Sequence, residues 1–138
     1  MVTMDFVLAG KATFTVENKV SGKHVTYRVE RGKVTERFPH PMMFVSVMTG
    51  TDNDSDYSYI GLLNGQAFRQ TAKSKLPADD YRVKGFDFAL RRIIAGVPDS
   101  DKVVIHHEGR CGRCAKLLTV PESIESGLGP ECRKLVAA

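Results

Sequence analysis

Along the first half of the chain, polar and apolar side chains alternate in short runs. KATFTV, from Lys11 to Val16, and HVTYRVE, from His24 to Glu30, both repeat with a period of two, and the NKVSG between them carries Asn18, Ser21 and Gly22. Such alternation gathers apolar side chains on one face of a strand, so the pair reads as a β-hairpin. Pro39 and Pro41 block helix and central-strand geometry in the next loop, and MFVSVMTG then gives a strand ending at Gly50. Beyond the polar turn TDNDSD come YSYIGLL and AFRQTAKS, parted by Asn64-Gly65, a dipeptide that favours the positive φ of a tight hairpin. About five antiparallel strands are therefore expected before the period changes.

It changes in VKGFDFALRRIIA, Val83 to Ala95, where Phe86, Leu90, Ile93 and Ile94 recur at helical spacing and Asp87, Arg91 and Arg92 take the outer face. Gly96 and Pro98 stop this helix. KVVIH, Lys102 to His106, is a last strand. An antiparallel sheet of about five to six strands with one packed helix is an α+β layout. Residues 1–101 form its core domain and residues 102–138 a C-terminal, treble-clef-like zinc finger docked on it.

Length and composition are consistent with that picture. A chain of 138 residues, 42% apolar and 26% charged, can bury one core without metal or disulfide help. No apolar run approaches the roughly 20 residues of a membrane span, and the N-terminus lacks the basic flank of an export signal. Three cysteines cannot all be paired within one chain, and two of them lie in a CxxC, which points to a reducing, cytoplasmic setting. The net charge of +4 permits a nucleic-acid partner without demanding one. Residues 1–101 carry 14 basic and 12 acidic side chains and the remainder 6 and 4, so only local clustering could build a strong positive surface.

All three cysteines fall in HHEGRCGRCAKLLTVPESIESGLGPEC, from His106 to Cys132. Cys111 and Cys114 frame Gly112 and Arg113, the gap of a zinc knuckle, in which a tight turn aims two thiolates at one ion. Cys132 follows Gly127, Gly129 and Pro130 and opens ECRKLVAA, a short helix whose free N–H groups favour a thiolate. A knuckle followed by a ligand at a helix start outlines a treble clef holding one structural Zn²⁺. The residues after Cys132 offer no fourth ligand, so it comes from upstream. If KVVIH is a strand, His106 and His107 face opposite ways and only one reaches the metal. His107 is favoured, because Val104 shares a face with His106 and Glu108-Gly109 lets the chain turn after His107. Glu108 is a substitute of a kind uncommon in closed structural sites. A redox pair at Cys111 and Cys114 would leave Cys132 without a role. An open site of three thiolates and a water would make the metal a weak Lewis acid. Between the ligands, Thr119 and Glu122 have capping-box spacing, and the helix they start would end at Gly127 and cover the site with Ile124 and Leu128.

Gly109 to Cys111, Cys114, Leu118 to Pro121, Ser123-Ile124 and Gly127 to Cys132 together resemble a small zinc-finger-like domain family of uncharacterised function found in bacteriophage and bacterial proteins. The resemblance covers residues 107 to 134. It departs from the family pattern at Ala115, where glycine is usual, and at Leu117. It implies zinc binding and a phage or mobile-element origin, and supplies no reaction.

Other constellations weigh less. Asp52, Asp54 and Asp56 resemble the start of a calcium loop, but Tyr57 and Leu63 stand where glycine and glutamate are needed, so a solvated turn is expected. Tyr27, Arg28, Phe68, Arg69, Lys73 and Lys75 would form a base-stacking face if their strands share a sheet, whereas Tyr27 and Phe68 taken singly read as core residues. Arg110, Arg113, Lys116, Arg133 and Lys134 make a second basic cluster around the metal, which could equally neutralise the thiolates. His24 and His40 are isolated, and no P-loop, GxSxG or HExxH occurs. No catalytic constellation and no small-molecule substrate is evident. The expected function is a nucleic-acid-binding module. The alternative is a protein-interaction factor, such as a phage-encoded inhibitor of a host defence or transcription enzyme, with a host protein as partner.

Overall fold

The structure is a computed structural model, and it describes residues 2–33, 36, 42–50, 56–108, 111–115, 127 and 128. A short helix α1 (Met4–Val7) precedes the hairpin of β1 (Lys11–Asn18) and β2 (His24–Arg31). Strands β3 (Met43–Met48), β4 (Tyr57–Asn64) and β5 (Ala67–Arg69) follow, then helix α2 (Tyr81–Ala95) and strand β6 (Val103–His107). The six strands form one sheet in the order β5-β4-β3-β2-β1-β6, with every neighbouring pair antiparallel. The α+β layout expected from the periodicity is the observed one. The expected treble-clef zinc finger falls largely on residues outside those described, so its two helices are not among these elements.

Local chemistry explains most element ends. Asn18 turns the first hairpin, its side-chain oxygen accepting from the N–H groups of Val20 and Ser21. Helix α2 starts at Tyr81, two residues before the apolar periodicity begins, because the Asp80 carboxylate caps it by accepting from the Arg82 N–H at 2.9 Å. The Arg82 side chain also binds Asp80, and these hydrogen bonds hold the Asp80 carboxyl below its usual range. Gly96 ends the helix in the left-handed region, as expected. Two expectations are corrected. AFRQTAKS is a strand only as far as Arg69, because the Ser74 hydroxyl accepts from the Thr71 N–H and bends the chain into a turn. Ile94 is 37% exposed, and the inner stripe of α2 is instead Val83, Phe86, Ala89, Leu90 and Ile93.

The core lies between α2 and one face of the sheet. Phe86 sits at its centre, 4.8 Å from the Phe68 ring centroid and 5.3 Å from that of Tyr27. Tyr27 is fully buried, and its hydroxyl donates to the Arg82 carbonyl at 2.5 Å, which satisfies its one polar atom. Burial drives the Tyr27 phenol well above its usual pKa, and the neighbouring Tyr81 and Asp80 add to the shift. Ile60 is an extra residue in β4, at a register shift opposite Val45 and Ser46. Strand β6 pairs with β1 at the sheet edge, so the segment leading to the cysteines is hydrogen-bonded into the main sheet.

Candidate metal centre and outer sheet face

Strand alternation separates the two histidines as expected. Phe14 stands opposite His107 and Val16 opposite Ile105, whereas Thr15 stands opposite His106. The face shared by Ile105 and His107 is the core face, and the one shared by Val104 and His106 is the outer face. His106 is exposed there, with its Nε2 3.1 Å from the Glu17 carboxylate. His107 is half-buried against the ring of Phe6, centroid to centroid 5.8 Å.

The chain then turns through the knuckle. Cys111 is fully buried and packs with Ala9, Leu128 and the half-buried Cys114, and no disulfide joins the two cysteines. The Ala115 N–H donates to the Cys111 carbonyl at 2.8 Å, and the Arg113 N–H points at the Cys111 sulfur at 3.4 Å. An amide aimed at sulfur stabilises a thiolate more than a thiol, which suits a metal ligand. Ala115 adopts φ 65°, the left-handed region that glycine occupies most easily. That is the position at which the resembled pattern carries glycine. Among the described residues no three of His, Cys, Asp or Glu gather closely enough to hold an ion. Cys132 lies outside them, and Glu108 is exposed.

Docking of the knuckle depends on a segment in which sequence reasoning found no function. Phe6, on α1, fills a slot between Gly112 and Gly127. A Cβ on Gly112 would lie 2.5 Å from the Phe6 ring, and one on Gly127 2.6 Å from it. The Gly112 N–H donates to the Gly127 carbonyl at 2.8 Å, and the Gly112 carbonyl accepts from the Lys11 N–H at 2.6 Å. The start of β1 thus continues into the knuckle. The signal available was MDFV after Thr3, whose hydroxyl caps the helix by accepting from the Phe6 N–H.

The basic clusters fare differently. Of the finger cations only Arg113 is described, and it is exposed; Arg110, Lys116, Arg133 and Lys134 lie outside the described residues. So do His40, Asp52 and Asp54, while His24 is exposed at the start of β2. On the sheet, Tyr27 and Phe68 point into the core and cannot stack bases, which corrects the expected platform. Arg28 and Arg69, their immediate neighbours in sequence, necessarily take the other face. Lys73 and Lys75 are exposed beyond β5, and the Lys75 N–H donates to the Tyr59 carbonyl at 2.8 Å.

The outer face carries aromatics of its own. The Arg28 guanidinium lies over the Tyr57 ring at 3.8 Å and 3.6 Å from Glu30. Phe44 is 40% exposed and meets Tyr59 edge-on at 6.1 Å. Thr15 and Thr26 share a hydrogen bond on the same face at 2.7 Å. Phe44 was detectable from its alternation with Val45 and Ser46. The placement of Tyr59 was not, because the extra residue at Ile60 resets the alternation within β4.

A family model described as a family of unknown function (DUF6011) matches residues 104–137. The match takes in the last residues of β6, the knuckle and the segment beyond it. No curated protein and no solved structure matches the chain. No helix among the described residues is long and apolar enough to cross a membrane.

Proposed function

We propose that this protein is a zinc-stapled nucleic-acid-binding module of bacteriophage or bacterial origin, acting in a reducing cytoplasm. The zinc finger would close with His107, Cys111, Cys114 and Cys132 around one structural ion, its rim supplied by Arg110, Arg113, Lys116, Arg133 and Lys134. The support for zinc is the knuckle backbone: an amide directed at the Cys111 sulfur, with Ala115 in the left-handed conformation. Support for nucleic acid rests on one observation, the stacking of Arg28 on Tyr57 beside the exposed Phe44 on the outer sheet face. Rings that accept any base, next to cations that meet phosphates, suit a single strand bound without sequence preference. Arg69, Lys73 and Lys75 extend that face at its β5 edge.

The test is fluorescence anisotropy with labelled single- and double-stranded oligonucleotides. Binding to single strands should weaken steeply as salt rises from about 50 to 200 mM, and Phe44→Ala or Arg28→Ala should weaken it about tenfold. No binding to either oligonucleotide at about 50 mM salt would sink the reading.

A further inference from the structure

Neither the finger nor the outer sheet face uses the apolar surface at the opposite end of β1. There α2 exposes Tyr81 to 62% and Phe88 to 48%, two helical turns apart, and the β1–β2 turn exposes Val20 to 77%. Between helix and hairpin runs a groove of about 270 Å³, with Val16, Val25, Tyr27 and Val103 on its sheet side, Gly85 on its helix side and Glu17 among its lining. Gly85 lets the helix approach Tyr27 at the groove's inner end. A Cβ there would lie 2.7 Å from the Tyr27 hydroxyl oxygen, so the Tyr27 side chain takes the space a larger residue would need and the helix crosses close to the sheet. That hydroxyl's proton is committed to the Arg82 carbonyl, so Tyr27 offers the groove no hydrogen-bond donor.

The rim is cationic. The Lys23 ammonium lies 5.8 Å and the Arg82 guanidinium 5.4 Å from the Tyr81 ring centroid, and the Arg92 guanidinium 5.7 Å from that of Phe88. Lys84 is exposed on α2 between the two aromatics, and Lys19 and Lys102 adjoin through a backbone hydrogen bond of 2.8 Å. Three of the nearby acids have partners: Glu17 lies 3.1 Å from His106, Asp80 pairs with Arg82 at 3.0 Å and Asp87 with Arg91 at 2.8 Å, while Asp79 and Asp101 are exposed. Lys19, Lys23, Lys84 and Lys102 make no ion pair among the described residues.

We propose that this groove is a docking site for an acidic segment of a partner protein. One large apolar side chain of that segment enters between Tyr81 and Phe88, and its carboxylates meet Lys23 and Lys84. Exposed aromatics close to arginines are the usual anchors of protein interfaces, lysines at the rim add charge complementarity, and clustered apolar exposure marks such a surface where scattered exposure does not. Tyr81 and Phe88 are both exposed along the same groove, two helical turns apart, which is longer than one small side chain spans. Its valine lining suits an aliphatic or aromatic side chain better than the polar edge of a base. The site lies on the core side of the sheet, away from Phe44 and Arg28, so it stands or falls independently of nucleic-acid binding.

The experiment uses the full chain and two fluorescein-labelled amphipathic peptides with the same leucine and phenylalanine seam, one carrying glutamates on its polar positions and the other lysines. Anisotropy should report binding of the acidic peptide and about tenfold weaker binding of the basic one. Tyr81→Ala and Phe88→Ala, both exposed enough to leave the fold intact, should each weaken the acidic peptide about tenfold, and Lys23→Glu with Lys84→Glu should remove the preference for acid. Equal binding of both peptides, binding of neither, or indifference to these variants overturns the proposal. So does displacement of the acidic peptide by a single-stranded oligonucleotide. A concentration-dependent dimer abolished by Phe88→Ala would assign the face to a second copy and likewise overturn it.

Discussion

The ring of Phe6 lies 5.8 Å from the ring of His107, which joins the N-terminal helix to the strand that leads into the knuckle. The same ring fills the slot between Gly112 and Gly127, so one aromatic side chain holds three separate parts of the chain together. Truncating it removes a fully buried aromatic from the seam. Phe6→Ala should therefore cost about 3–5 kcal/mol in urea unfolding. It should also speed loss of the proposed zinc ion to a chelator well below the melting temperature. An unchanged rate of metal loss would make Phe6 a core residue with no part in the finger.

The two histidines of β6 should behave differently on replacement. His106 is on the outer face with Glu17, and His107 is on the inner face with Phe6. His107→Gln should lower zinc content measured by native mass spectrometry, and His106→Gln should leave one ion per chain. The reverse pattern would transfer the ligand to His106, and unchanged zinc after Cys132→Ser would remove that cysteine from the set.

Ala115 occupies a conformation that disfavours any side chain, with φ 65°. A left-handed non-glycine residue costs about 1–2 kcal/mol, partly offset by the greater freedom of glycine in the unfolded chain. Ala115→Gly should thus raise stability by about 0.5–1 kcal/mol, and Ala115→Val should lower it. Thermal melting of the three proteins decides this. A destabilised glycine variant would show that the turn is not held as described.

Tyr27 sets an alkaline limit on the fold. Burial raises its folded-state pKa above the unfolded value of about 10, so its contribution is fully present below that pH and is lost as the pH rises above it. Urea midpoints should fall between about pH 9 and 11, and the slope should be shallower in Tyr27→Phe. Equal slopes in the two proteins would mean that other groups govern the alkaline transition.

Much of the fold was readable from short-range pattern. Alternation in KATFTV and HVTYRVE located the first hairpin, although the stacking face expected of Tyr27 and Arg28 together overlooked that sequence neighbours in a strand take opposite faces. Asn64-Gly65 located a hairpin, and Gly96 a helix end, because each requires a backbone conformation that few residues adopt. Less of the candidate site was readable. The expected stacking face was assigned to Tyr27 and Phe68, yet these point into the core and the aromatics of the outer face are Phe44, Tyr57 and Tyr59. Which face of a strand is buried depends on where the helix packs, and the extra residue at Ile60 changes that face midway along β4.

The sequence by itself determined the local elements and the turn at the CxxC spacing, since periodicity and turn residues act over a few neighbouring positions. Only the tertiary structure decided that β6 closes the sheet beside β1, that His107 faces inward and that Phe6 seats the knuckle. These are pairings between residues about a hundred positions apart. They arise from the burial of shared apolar surface, which no local pattern in the chain encodes.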